Sequence, residues 1–334
     1  MRRRSLLLAG PLAAAAADAP KLNRQVKVVI IGTEGHTAEV TDPAKRIPEI
    51  KIVARVNGGT DYRPVLDKEK PDIVAVCNDN GARAAAILAC AERSIPYIAE
   101  KPLAITRADL AKLKAAVERA KIKHTIMLPM RWLPHYQALK QIVASGEIGE
   151  IAQIGGQKSY KAGADSQWKN KAASYGGTIP WVGIHMLDLM RWTSGREFVE
   201  TAAFQSRIGW PELGDRENTA AALFRLDNGG VATLRMDYLR PEAAPTHEDD
   251  RLRLAGTKGV AEWQAATGVT IVTGAAKPRR LEKLPARGSL FEEFLKALYL
   301  GGPDPITPAD VWRVNEICLV ARESAEKGKM LKIG

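Results

Sequence analysis

The apolar positions change rhythm near the middle of the chain. In the first half, short unbroken apolar runs alternate with stretches of helical period. Val26–Ile31, Lys51–Val56, Ile73–Val76, Tyr97–Ala99 and Lys123–Leu128 read as strands buried on both faces. Helices are expected at 82–93 and at 107–120, where Leu110, Leu113 and Val117 share a face. Thr106 is placed to cap the second of these, and Asp109 suits its first turn. The crossover after Val56 has room only for a short helix, Tyr62–Lys68, and Pro43 and Pro48 shorten the one after Ile31. This alternation predicts an α/β fold with a doubly wound parallel sheet.

From Glu150 the period becomes two. Strands are expected at 151–160, 199–208, 217–226, 230–238, 252–255, 260–264 and 269–273, with Asp227-Asn228-Gly229-Gly230 as a hairpin turn. A helix opens at Met130 and closes at Ser145, another interrupts the strands around 184–192, and two more end the chain at 290–300 and 308–327. The second half is therefore expected to hold a large, mainly antiparallel open sheet.

Charge changes this picture little. Forty-nine basic residues against 38 acidic give a net +11. The lysines and arginines scatter along the chain without aromatic interleaving. That suits attraction of anionic ligands or cofactor phosphates and argues against nucleic acid. The N-terminus adds more. Arg2-Arg3-Arg4-Ser5 precedes an apolar run, Leu6–Ala17, too short to span a bilayer. It reads as a leader over 1–17 that resembles a twin-arginine signal. The expectation is a periplasmic or otherwise exported protein with no membrane contact in its mature form; a cytoplasmic chain with an untidy start is the alternative. Cys77, Cys90 and Cys318 lie far apart in apolar runs, which suits buried thiols and no metal site.

Candidate chemistry sits at strand ends. Gly32-Thr33-Glu34-Gly35-His36-Thr37 follows the first strand, where a dinucleotide fold places G-x-G-x-x-G so that amides and a helix N-terminus meet the pyrophosphate. Only the first glycine is in register, and Glu34 is unwelcome beside a phosphate. Asn57 stands where a ribose-binding acid is usual, and Arg63 is a candidate for a 2′-phosphate. Asn78 and Asn80 follow the third strand. The fourth ends in Glu100-Lys101-Pro102, which aims an ammonium out of the sheet or pairs it with Glu100. Further on, His185 and Asp188 lie three apart on one helix behind Gly176-Gly177, so that Asp188 could orient the imidazole.

Glu100-Lys101-Pro102, Arg131-Trp132-Leu133-Pro134, Gly146-Glu147-Ile148-Gly149-Glu150-Ile151 and Gly176-Gly177…Gly183-x-His185-x-x-Asp188 occur in this order. Together they resemble the glucose–fructose oxidoreductase/inositol dehydrogenase/rhizopine-catabolism family, over nearly all of the chain from Val26. The resemblance implies a Rossmann domain over 26–129 and a substrate and oligomerisation domain over 130–334. It implies NAD or NADP, a sugar, inositol or related polyol, and homo-oligomers formed through the second sheet. Carried over by position, Lys101 and His185 are catalytic, with Asp188 beside them. Gly32, Thr33, Gly35, His36, Asn57, Asn78, Asn80, Glu100, Lys101 and Arg131 are the expected cofactor contacts. The family's acid four residues before the histidine is Trp181 here, either core or a platform for a sugar face. A glycosidase that keeps a bound nicotinamide, and a binding protein that has lost it, are the competing expectations.

Overall fold

The computed structural model describes residues 19–162 and 167–334. The expected leader over 1–17 lies outside the described residues. The first half winds as β1 (Val26–Ile31), α1 (Ala38–Arg46), β2 (Ile50–Val56), α2 (Arg63–Glu69), β3 (Ile73–Val76), α3 (Asn80–Glu92), β4 (Tyr97–Ala99), α4 (Arg107–Ala120) and β5 (His124–Ile126). The five strands are parallel in the order β2-β1-β3-β4-β5. Apart from the half-buried Lys27, β1 and β3 are apolar and buried because helices cover both faces. α1 runs through Pro43 and stops before Pro48 instead of ending at the first proline. α3 starts two residues earlier than expected because the Asp79 side chain accepts the Ala82 N–H at 3.0 Å. Thr106 caps α4 as expected, accepting from Asp109 N–H.

A 3₁₀ turn (Pro129–Trp132) and α5 (Pro134–Ala144) lead into the second half. There follow β6 (Ile151–Ser159), a 3₁₀ turn (Gln167–Asn170), α6 (Ala172–Tyr175), a π turn (Ile179–Gly183), α7 (Ile184–Ser194), β7 (Phe198–Ser206), β8 (Thr219–Leu226) and β9 (Val231–Asp237). The chain continues through β10 (Arg251–Gly256), β11 (Gly259–Gln264), β12 (Gly268–Thr273), β13 (Ala276–Arg280), α8 (Leu290–Tyr299), α9 (Pro308–Lys327) and β14 (Leu331–Lys332). These nine strands form one sheet, β13-β12-β11-β10-β6-β9-β8-β7-β14, antiparallel except for β6 beside β9. Its inner face, with Ala222, Phe224, Leu234 and Met236, packs on the helices; its outer face leaves Phe204 and Leu223 exposed. α9 joins the halves: Asn315 accepts from Leu103 N–H at 2.8 Å, and Arg322 donates to the Ile105 and Gly176 carbonyls at 2.7 Å each. All three cysteines are buried and free. No helix among the described residues is long and apolar enough to cross a membrane.

Candidate active site

The direction of winding reverses between β1 and β3, and a crevice opens beyond their carboxyl ends. Gly32 closes β1 with φ +81°, where a Cβ would lie 2.4 Å from the Cys77 carbonyl oxygen. The loop then leans on β3 through Glu34 N–H, which donates to that carbonyl at 2.7 Å. Gly35 also has positive φ, and a Cβ on it would strike the Glu100 carboxyl carbon at 2.4 Å. The fully buried Glu100 fills that space. It accepts the His36 backbone N–H, holds His36 Nδ1 at 2.8 Å and accepts Lys101 N–H at 3.2 Å. Burial works against its ionisation, but His36, Lys101 and Arg83 outweigh burial and bring it down to about 2. Gly35 thus makes room for a protein carboxylate. Among the described residues the loop N–H groups of Thr33, Gly35 and Thr37, which lead into α1, make no backbone hydrogen bond.

The asparagines separate. Asn78 is buried beside Gly32 and Gly58, and neither its Oδ1 nor its Nδ2 has a partner. A buried amide left so costs about 1–3 kcal/mol, and it stands where a bound ligand would complete it. Asn57 is exposed and accepts from Gly59 N–H at 3.3 Å. Asn80 is occupied: Nδ2 donates to the Tyr175 carbonyl at 2.6 Å, and Oδ1 accepts from Arg83 at 2.8 Å. Arg63 pairs with Asp61 at 2.8 Å, both exposed. Unpaired loop amides, an orphaned Asn78 and a glycine-lined floor fit a nicotinamide dinucleotide; Asn80 serves α3 instead.

Lys101 is buried, and the Lys101–Pro102 peptide is cis. Its Nζ donates to the Trp181 carbonyl at 2.7 Å and lies 3.3 Å from the centroid of the Trp181 ring. The indole packs edge-on against Trp168, with centroids 5.3 Å apart. Trp181 therefore seats the ammonium. Burial pushes Lys101 well below the ordinary lysine value against the pull of Glu100, and Arg83, Lys169 and Lys158 add to the push.

The π turn delivers His185 on the first turn of α7, and a Cβ at Gly183 would meet Met236 Sδ at 2.7 Å. His185 is buried, with no partner at Nδ1. Burial, then the charges of Lys101, His36 and Lys158, hold its imidazole well below the ordinary value. The ring meets His36 edge-to-face at 5.1 Å. Both line a cleft of about 190 Å³ with Lys158, Tyr160, Glu248 and Arg287. Lys158 escaped the sequence reading because its acids are distant in sequence: Asp250 at 2.6 Å and Glu248 at 3.1 Å.

Asp188 does not orient His185. It takes a bidentate pair from Arg131, 2.8 Å to Nε and 2.5 Å to Nη2, and Asp310 stands 3.5 Å from Nη1. Arg131, expected as a cofactor contact, is engaged by this buried pair through Nε and Nη2. Helical spacing put Asp188 near His185, but a guanidinium from the turn before α5 matches its two oxygens better than one imidazole N–H. Among the described residues there is no cluster of His, Cys, Asp or Glu that would hold a metal.

Two family descriptions match this chain. "Oxidoreductase family, NAD-binding Rossmann fold" covers residues 19–127, and "GFO/IDH/MocA C-terminal domain" covers 136–262. A solved structure from Thermotoga maritima, named as an oxidoreductase, is 34% identical and superposes with a TM-score of 0.84 over 92% of this chain and 100% of its own. The uncharacterized oxidoreductase YrbE of Bacillus subtilis is 26% identical over 288 residues, 82% of each chain. Levoglucosan dehydrogenase of Pseudarthrobacter phenanthrenivorans is 24% identical, covering 85% of this chain and 90% of its own.

Proposed function

Because the chain belongs to the GFO/IDH/MocA family of NAD-binding oxidoreductases, we propose that it oxidises a secondary hydroxyl of a sugar, inositol or related polyol. The observation that carries this reading is the Lys101 Nζ bond to the Trp181 carbonyl at 2.7 Å, which ties the lysine after β4 to the π turn that leads, four residues on, into the buried His185. Bound NAD or NADP supplies the hydride acceptor. Asn78, Asn57, Gly32, Thr33 and Gly35 hold it at the strand ends. Lys101 spends one N–H on the Trp181 carbonyl and points its remaining donors at the substrate oxygen, where negative charge develops. His185, kept as free base by its burial, takes the hydroxyl proton. The sugar substrate of the levoglucosan relative supports the substrate class.

The test begins with purified protein that has seen no added cofactor. It is denatured, and the supernatant is assayed for NAD and NADP; the native protein is then given NAD with levoglucosan, myo-inositol and glucose. Bound or bindable NAD and NADH formation are expected, and Lys101→Met should lower kcat by about 10²–10³-fold with NAD affinity unchanged. Full activity in that variant would remove Lys101 from the chemistry. Glycoside cleavage without net NADH would make the chain a glycosidase.

The same reading assigns cofactor to 26–129 and substrate to 130–334. It also makes the chain exported through the leader over 1–17, which N-terminal sequencing of protein from a periplasmic fraction would contradict if Met1 were retained. The exposed Phe204 and Leu223, 75% and 51% accessible, support homo-oligomers through the outer sheet face. A monomer by sedimentation at micromolar concentration would remove that element.

A further inference from the structure

His185 receives a proton in this reading but is ill placed to keep it. It is 3% exposed, and burial, Lys101, His36 and Lys158 all disfavour its charged form. The family's neighbouring acid is absent, and Trp181 faces Lys101 instead. The ring beside His185 in the cleft is His36, 5.1 Å away edge-to-face and 34% exposed in its side chain. Glu100 lies behind that ring, 2.8 Å from Nδ1. An ionised carboxylate only accepts, so Nδ1 carries the hydrogen and Nε2 is left as the acceptor. The other charged groups around the cleft are Glu39 on α1, Lys158 on β6, Glu248 before β10 and Arg287 before α8; among the described residues Glu100 is the one hydrogen-bonded to the His36 ring. Gly35 is part of the device, since any side chain there would expel the Glu100 carboxylate.

We propose that His36, backed by Glu100, is the proton exit: it takes the proton from His185 and releases it to water. The proposal rests on the functional reading above. The substrate loses a hydride to oxidised nicotinamide and its hydroxyl proton to His185, so one C–H and one O–H bond break as the C=O bond forms. The proton then moves from His185 to His36 Nε2 and on to solvent, leaving both imidazoles neutral. On this view His36 serves proton traffic, and its backbone N–H is committed to Glu100.

The first test needs no substrate. The chain has five histidines, so long-range ¹⁵N–¹H correlations of histidine-labelled protein without cofactor can be assigned by substitution. His36 is expected as the Nδ1–H tautomer, and Glu100→Gln should relax that preference. An Nε2–H tautomer in the native protein overturns the proposal. The second test is His36→Asn, which keeps a donor toward Glu100 and deletes Nε2. We expect kcat on the best polyol to fall by about 10²-fold, with KM and NAD affinity unchanged and turnover restored by added imidazole. Native kcat in that variant, or lost NAD affinity with kcat retained, overturns the relay. Failure of the functional reading looks different: native protein with the expected tautomer forms no NADH from any polyol, and the relay falls with the reaction it serves.

Discussion

Replacing Asp188 by asparagine should cost stability and leave the pH profile alone. The substitution keeps shape and removes one charge from a buried pair whose side chains are 5% and 1% exposed. Breaking such a pair costs about 3–5 kcal/mol, because the remaining ion stays desolvated. Asp310, 28% exposed and 3.5 Å from Arg131, retains part of the compensation, as does the asparagine carbonyl. The lower end, about 3 kcal/mol, is therefore expected, equivalent to a drop in Tm of about 6–12 °C for a unit of this size. Near-ultraviolet circular dichroism on heating reads the loss. The double variant Arg131→Met/Asp188→Leu removes both charges and should fall less than Asp188→Asn. The acid limb of kcat/KM should not move, since Asp188 is bonded to Arg131 and His185 Nδ1 has no hydrogen-bond partner. A Tm within about 1 °C of native together with a shifted acid limb would refute the assignment and return Asp188 to the imidazole.

Two further outcomes follow from the same geometry. Burial, with help from Arg287 and Lys158, brings His135 down to about 3 where it stacks on Trp263 at 3.8 Å. The unfolded chain therefore binds the extra proton first: this stability is complete above the ordinary histidine value near 6.5 and is lost as pH falls toward 3. His135→Phe should keep the stack and flatten the decline of the urea midpoint between those limits; an equally steep decline would place the acid sensitivity elsewhere. Asn78→Leu removes two orphaned amide atoms, so it should leave the urea midpoint unchanged or raised while weakening NAD binding about tenfold by calorimetry. Unchanged NAD affinity would mean that the Asn78 amide does not face the cofactor.

The regular elements were legible because burial writes a period into the chain. The strand at 73–76 and the helix at 308–327 carry that period from end to end and stand where it places them. β13 was not legible: Ala-Lys-Pro-Arg-Arg is exposed at every position on a sheet edge, so nothing in it alternates. The π turn is apolar and buried at every position, so no period separates it from the helix that follows. At the site, the Glu-Lys-Pro turn and His185 could be picked out as charged or titratable groups at strand and helix ends. Their partners could not. Glu100 answers to a loop 64 residues earlier, Asp188 to an arginine 57 residues away, and Lys101 to the face of an indole 80 residues on. Such pairings depend on how the halves dock, and no local pattern encodes them.

The way α9 holds Leu103, Ile105 and Gly176 has a consequence for biosynthesis. The parallel sheet is complete once Ile126 is made, yet Arg322 lies 196 residues later (322 − 126). At roughly 5–20 residues per second, the first half waits about 10–40 s on the ribosome with the backbone behind its lysine turn unclamped. Nascent chains stalled before Arg322 should therefore be the species that chaperones bind, and loss of the last helix should produce a chain that is synthesised but never matures.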